Sequence, residues 1–161
     1  MGNASEIKAL KNAIVKARQI SLDMCRNDLL RFTLSTMPTF RPADFHRRYY
    51  HVLTDFADGK IRKLMVFMPP QHGKSEGSTR RLPAFLLGKT PDKKLAIVSY
   101  NAPKARKFNR EIQRIIDSPE YHDIFPDTAL NASNVTTVAG SWLRNADECE
   151  IVGYRGGFKT V

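Results

Sequence analysis

The residues of this chain best suited to chemistry are Gly73-Lys74-Ser75. A tight glycine turn lets backbone N–H groups converge on phosphate oxygens, a lysine beside it reaches the outer phosphates, and a serine hydroxyl holds a magnesium ion. The full pattern, Gly-x-x-x-x-Gly-Lys-Ser/Thr, asks for glycine where this chain has Met68, so the tripeptide needs support from its surroundings. The run Leu64-Met65-Val66-Phe67-Met68 before it reads as a central strand buried on both faces, and about Ser75 to Leu87 after it reads as a helix. A helix N-terminus favours anions. Gln71, His72, Gly73, Lys74, Ser75 and Glu76 are therefore the candidate phosphate loop, with a nucleoside triphosphate and Mg2+ as ligands. An ordinary strand-to-helix turn is the alternative.

Hydrolysis of such a ligand needs an apolar strand ending in Asp, which holds the magnesium, and a Glu that polarises the attacking water. Asp147 and Glu148 follow Leu143-Arg144-Asn145-Ala146, which is not a strand core, and Glu150 precedes its short apolar pair. No catalytic residue is assigned within the 161 residues. His46, His51, His72 and His122 show no His-Glu-x-x-His spacing, and neither Cys-x-x-Cys nor Gly-x-Ser-x-Gly occurs, which argues against zinc and nucleophile-elbow hydrolases. Cys25 and Cys149, far apart and without ligand spacing, read as reduced thiols.

The loop has to be held by the elements around it. Three amphipathic helices are expected ahead of it: about Ser5 to Ser21 with Ile7, Leu10, Ile14 and Ala17 on one face, about Leu22 to Leu34 with Leu22, Leu29, Leu30 and Phe32, and a third opened by Phe40-Arg41-Pro42 and ended by Gly59. Phe45, Tyr49, Val52 and Phe56 mark the buried face of the third, and all three stripes read as core packing. In the helix after the loop Pro83 is placed to kink the chain and Gly88 to cap it. Leu95 to Tyr100 reads as a second buried strand, ending in a turn that Asn101 can cap, and Pro103 to Ile116 as a helix. Further strands are expected around Val135 to Val138, Glu150 to Gly153 and Phe158 to Val161. Alternating strands and helices predict an α/β fold with a parallel sheet. Residues 1–58 form its N-terminal helical segment and residues 59–161 its core.

Phe40-Arg41-Pro42-Ala43-Asp44-Phe45-His46, Gly59, Leu64 through Glu76, Pro83-Ala84-Phe85-Leu86-Leu87-Gly88, Ser99-Tyr100-Asn101-Ala102 and Ser118-Pro119-Glu120-Tyr121 occur in this order. In that order they resemble the large terminase subunits of tailed phages and prophages, from about residue 29 to the end. Met-Pro-Pro-x-His-Gly-Lys-Ser is a variant phosphate loop in that family, although members often carry Arg where this chain has Gln71. The resemblance implies a P-loop NTPase-like parallel sheet, incomplete here, flanked by helices. It implies ATP and Mg2+ as cofactors, Lys74 on the outer phosphates, Ser75 on the magnesium, and Arg41, Phe45 and His46 on the adenine side. It further implies a motor that packages double-stranded DNA into a procapsid, with the terminase small subunit, the portal protein and further copies of the chain as partners. In the family the carboxylate pair and a nuclease domain lie downstream of the Gly-Gly found here at Gly156-Gly157, so the chain is expected to be a part that stops before the second nucleotide motif.

Lys and Arg number 26 against 16 Asp and Glu, a formal net charge of +10 that favours polyanionic partners. A 42% hydrophobic composition without long Pro, Gly or Ser runs predicts a folded protein. No stretch approaches the length of a membrane span and Met1 to Lys8 is polar, so membrane and secretory readings fall away and the cytoplasm of a bacterial host is the expected location. Two rival functions remain: a P-loop kinase or other small-molecule ATPase, and a non-enzymatic module that binds DNA or protein partners while its loop stands idle.

Overall fold

The computed structural model describes residues 3–136 and 141–161. Helix α1, Asn3–Asn27, runs on past Ser21, where nothing in the sequence breaks a helix. The break comes at Asp28, whose side chain accepts the Arg31 N–H at 2.7 Å and so opens α2, Leu29–Thr36. Helix α3, Asp44–Ala57, closes at Asp58 and a left-handed Gly59 with φ +78 whose N–H returns to Phe56 O. Its buried residues are Tyr49, Tyr50, Leu53 and Thr54, so of the four expected only Tyr49 is fully inside and Phe45 faces solvent. The helical period was right and its phase was off, because the apolar stripe spans more than one column of the helix.

After the loop the helix begins with a wide π turn, Glu76–Arg81, and continues as α4, Leu82–Lys89. Pro83 has no N–H to give; just ahead of it the Leu82 N–H bonds five residues back to Gly77 O. Leu82 through Leu87 are all buried, making α4 the central pillar of the molecule. Gly88 does not end the helix. A Cβ there would lie 2.3 Å from the Phe125 ring, so the glycine admits that ring, and Thr90 closes the helix instead.

Strands β1, Lys94–Ile97, β2, Glu148–Glu150, and β3, Gly157–Thr160, form one sheet in the order β1-β3-β2. β1 and β3 are parallel, with Lys94 opposite Gly157, whereas β2 is antiparallel to β3, with Cys149 opposite Phe158. The sheet is thus small and mixed, in place of the expected parallel one. Leu64–Met68 is not among its strands: Leu64, Val66 and Met68 are half-buried against the core while Met65 and Phe67 point outward. A continuous apolar run does not by itself distinguish a strand covered on both faces from an extended segment covered on one. Val135 makes an isolated bridge to Arg144, and the rest of the strand expected there reaches residues 137–138, outside the described residues.

Helices α5, Ala102–Ile116, and α6, Pro119–Ile124, complete the order. One core joins α2, α3, α4, α5 and α6 to the sheet, so the N-terminal helices and the residues beyond 59 share a single interior. Phe32 sits at its centre, with the Phe85, Tyr121 and Phe125 rings 5.5 to 6.0 Å away. By contrast the expected core stripe of α1, with Ile7, Leu10 and Ile14, lies in solvent. No helix among the described residues is long and apolar enough to cross a membrane.

Candidate functional site: the turn from Gln71 to Ser75

Pro69 to Ser75 leave the Leu64–Met68 segment, turn, and enter the helix. Gln71 and Gly73 both have positive φ, +64 and +74, on either side of His72. Left-handed backbone is ordinary for glycine and costs about 1–2 kcal/mol in other residues, so Gln71 stores strain in the turn. Successive backbone N–H groups in a turn can line one concave side. The N–H groups of Gln71, His72 and Gly73 donate to no group among the described residues. The Lys74 ammonium makes no ion pair and the Ser75 hydroxyl no hydrogen bond among those residues. Lys74 lines a shallow cleft of about 350 Å3 with Val66, Phe67, Met68 and Pro69.

Helix α3 braces this loop from the side. The Tyr49 hydroxyl donates to Lys74 O at 2.8 Å and Ser78 Oγ donates to the same oxygen at 2.9 Å, which fixes the peptide that follows Lys74. Burial pushes the Tyr49 phenol above its usual pKa, against a smaller pull from Ser78, so it remains a donor. Gly73 and Gly77, one turn apart, let the backbone approach α3 closely. A Cβ on Gly73 would sit 3.0 Å from His46 Nε2, and one on Gly77 would sit 2.7 Å from Tyr49 Cε1.

Of the residues expected on the adenine side, the structure brings Phe45 and His46 to the loop. The Phe45 ring lies 4.0 Å from that of His46 and 5.8 Å from that of His72, between the start of α3 and the turn. His46 Nδ1 accepts the Ala43 N–H at 3.1 Å, which turns Nε2 toward Gly73. His72 is held by its own turn, with Nδ1 2.7 Å from Pro70 O. The exposed Arg41 guanidinium instead donates to Pro38 O.

Glu76 has a different task from its loop neighbours. One carboxylate oxygen accepts from Arg81 Nε at 2.7 Å and the other from Arg80 at 3.0 Å, which ties the carboxylate to the turn that follows the loop. Arg80 continues to Glu111 on α5 at 2.5 Å, and Arg81, nearly buried, donates to Thr36 Oγ1 at the end of α2. Tyr49 was expected only as a buried-face residue and Glu76 only as a loop residue; the arginine network and the close packing of Gly77 were not anticipated, and only the four-residue spacing of Glu76 and Arg80 hinted at them.

The acidic residues weighed as catalytic are likewise occupied. Asp147 pairs with Arg106 at 2.8 Å and Glu148, the first residue of β2, with Lys159 at 3.4 Å. Among the described residues no cluster of His, Cys, Asp and Glu has the makings of a metal site, and both cysteines are buried thiols. Comparison with family models, with curated proteins and with solved structures returns no match.

Proposed function

We propose that this chain binds ATP with Mg2+ through the loop Gln71 to Ser75, as the ATP-binding part of a phage or prophage terminase large subunit. The complete protein would use ATP hydrolysis to package double-stranded DNA into a procapsid. The observation that carries the binding reading is the set of unengaged groups at one helix start: three loop N–H groups, the unpaired Lys74 ammonium and the free Ser75 hydroxyl. On this reading the small sheet is part of a P-loop NTPase core. The loop N–H groups and the positive end of the helix take the phosphate oxygens, and Lys74 balances the outer phosphates. Ser75 Oγ would hold the magnesium ion, which when bound neutralises phosphate charge. The exposed Phe45 ring offers the base an apolar face.

Titration of a fluorescent ATP analogue with and without magnesium tests this reading. Lys74→Ala is expected to weaken binding by at least about tenfold, roughly 1.4 kcal/mol. Equal affinity of variant and parent would refute a phosphate loop at this position. A second reading, a DNA-binding module with an idle loop, is favoured by the exposed Lys104, Lys107, Arg110 and Arg114 of α5. It predicts duplex binding that ignores sequence and falls steeply with salt, together with no response to the nucleotide.

A further inference from the structure

Helix α1 carries an apolar face that its own chain does not cover. At about 100° per residue, Ala9, Ala13, Ile20, Met24, Ala17, Leu10, Ser21, Ile14 and Ile7 fall within one arc of about 160°. Along it Leu10 is 63% exposed, Ile14 59% and Ile7 46%. The helix meets the rest of the molecule through other residues: Leu22 and Cys25 pack on the core, Arg18 pairs with Asp123 at 2.9 Å, and Arg26 Nε donates to Ile124 O. Arg18, Leu22 and Arg26 lie about 100–180° around the helix from the centre of the apolar arc, and Cys25 lies at its edge, at the same angle as Ile7. On that arc Ile7, Leu10, Ile14 and Ile20 are open to a partner.

The arc has a register. Ile7, Leu10, Ile14, Ala17, Ser21 and Met24 follow one another at steps of three and four residues, the spacing of a heptad seam. Ile7 and Ile14 take its first position and Leu10 its fourth, the combination that selects two parallel strands. We infer that α1 pairs with α1 of a second copy of this chain in a parallel two-stranded coiled coil, a contact separate from the phosphate loop. The flanking charges choose both partner and direction. Glu6 precedes the seam and Lys11 follows it, so in a parallel pair Glu6 faces the partner's Lys11, twice by symmetry. An antiparallel pair would oppose Lys11 to the partner's Arg18. The small residues Ala9, Ala13, Ala17 and Ser21 permit close helix contact, while the face lacks the aromatic residues that anchor interfacial helices in lipid.

The seam is short, with Ala17 and Ser21 in its later core positions, so the dimer should be weak and concentration-dependent, with a dissociation constant on the order of 10–100 µM. Sedimentation velocity on the whole chain should show this association up to about 500 µM. Leu10→Asp should abolish it across that range. Leu10→Ala, which keeps helix propensity, should weaken it at least about tenfold with unchanged circular dichroism. Glu6→Lys should weaken it about three- to tenfold, and adding Lys11→Glu should restore it. A parent that stays monomeric throughout, including one that binds phosphatidylserine vesicles as a monomer, overturns the inference. So does a dimer that survives Leu10→Asp, or one that Glu6→Lys strengthens.

Discussion

Replacing Gly77 by alanine sets two rules of protein energetics against each other at one position. An extra methyl in a helix ordinarily stabilises by about 1 kcal/mol over glycine. Here its carbon would stand 2.7 Å from Tyr49 Cε1, 3.3 Å from Tyr49 Cζ and 3.1 Å from Leu53 Cδ1. Tyr49 cannot simply swing aside, because it is buried, packs edge-on against Tyr50 at 5.6 Å and donates its hydroxyl to Lys74 O. Overpacking costs about 1–3 kcal/mol, and loss of that hydrogen bond adds about 0.5–1.5 kcal/mol. The net is a destabilisation of about 2 kcal/mol, or a fall in Tm of about 4–8 °C in a domain of this size. Displacing Tyr49 also frees the peptide after Lys74, so affinity for an ATP analogue should drop several-fold in the same variant. Thermal unfolding followed by circular dichroism and the nucleotide titration together read both effects. Tyr49→Phe serves as the control, since it keeps the packing and removes only the bond. A Gly77→Ala variant more stable than the parent would show that helix propensity wins and that the loop is not braced by α3.

Alkaline pH probes the buried core. Burial pushes Tyr50 up to about 12 and Cys149 up to about 11, and raises Tyr121 as well. The unfolded chain releases these protons first, so stability holds below about pH 9 and falls as pH rises from there toward 12. Tyr50→Phe removes a buried hydroxyl without a partner; it should be nearly neutral at pH 7 and move the midpoint of alkaline unfolding upward, whereas a downward shift would contradict this account. Phosphate release from ATP should stay near background with or without duplex DNA, because neither Asp147 nor Glu148 ends an apolar strand and each pairs with a cation of its own chain. A brisk DNA-stimulated turnover that Lys74→Ala abolishes would put the catalytic residues elsewhere in the chain.

Some local signals were legible, where one side chain decides the backbone, although Gly88 did not cap its helix. Asn101 caps α5 by accepting the Lys104 N–H at 2.9 Å, and Gly59 ends α3 in the left-handed region, as their types and places in the sequence indicate. A turn at Gly73 was legible for the same reason, since that glycine takes left-handed backbone there. What depended on distant partners was not. Leu64–Met68 has the composition of a central strand, but pairing needs a neighbour, and among the described residues the segment joins no ladder. The stripe of α1 has the period of a core helix, and period alone does not say whether the chain or another molecule covers it. The mixed direction of the sheet rests on β2, a three-residue strand too short to leave a periodic trace.

These misses bear on how the loop is held. In a sheet-centred site, a strand paired on both edges would fix the backbone entering the turn. Here Leu64, Val66 and Met68 tether it by packing on one side only, which resists lateral movement less than a ladder of hydrogen bonds. Rigidity must then come from downstream of the turn, and that is where the structure concentrates it. Tyr49 holds Lys74 O, two glycines seat the turn on α3, and Glu76 ties the next residues through Arg80 to α5 and through Arg81 to α2. The Glu76–Arg81 pair is only 18% and 10% exposed, so removing one partner leaves a poorly solvated charge with fewer compensating contacts. Losing Glu76 would strand the Arg81 charge, destabilise the fold, and loosen the first turn of the helix from which Lys74 and Ser75 project. Glu76 thus braces the first turn of the helix through two arginines.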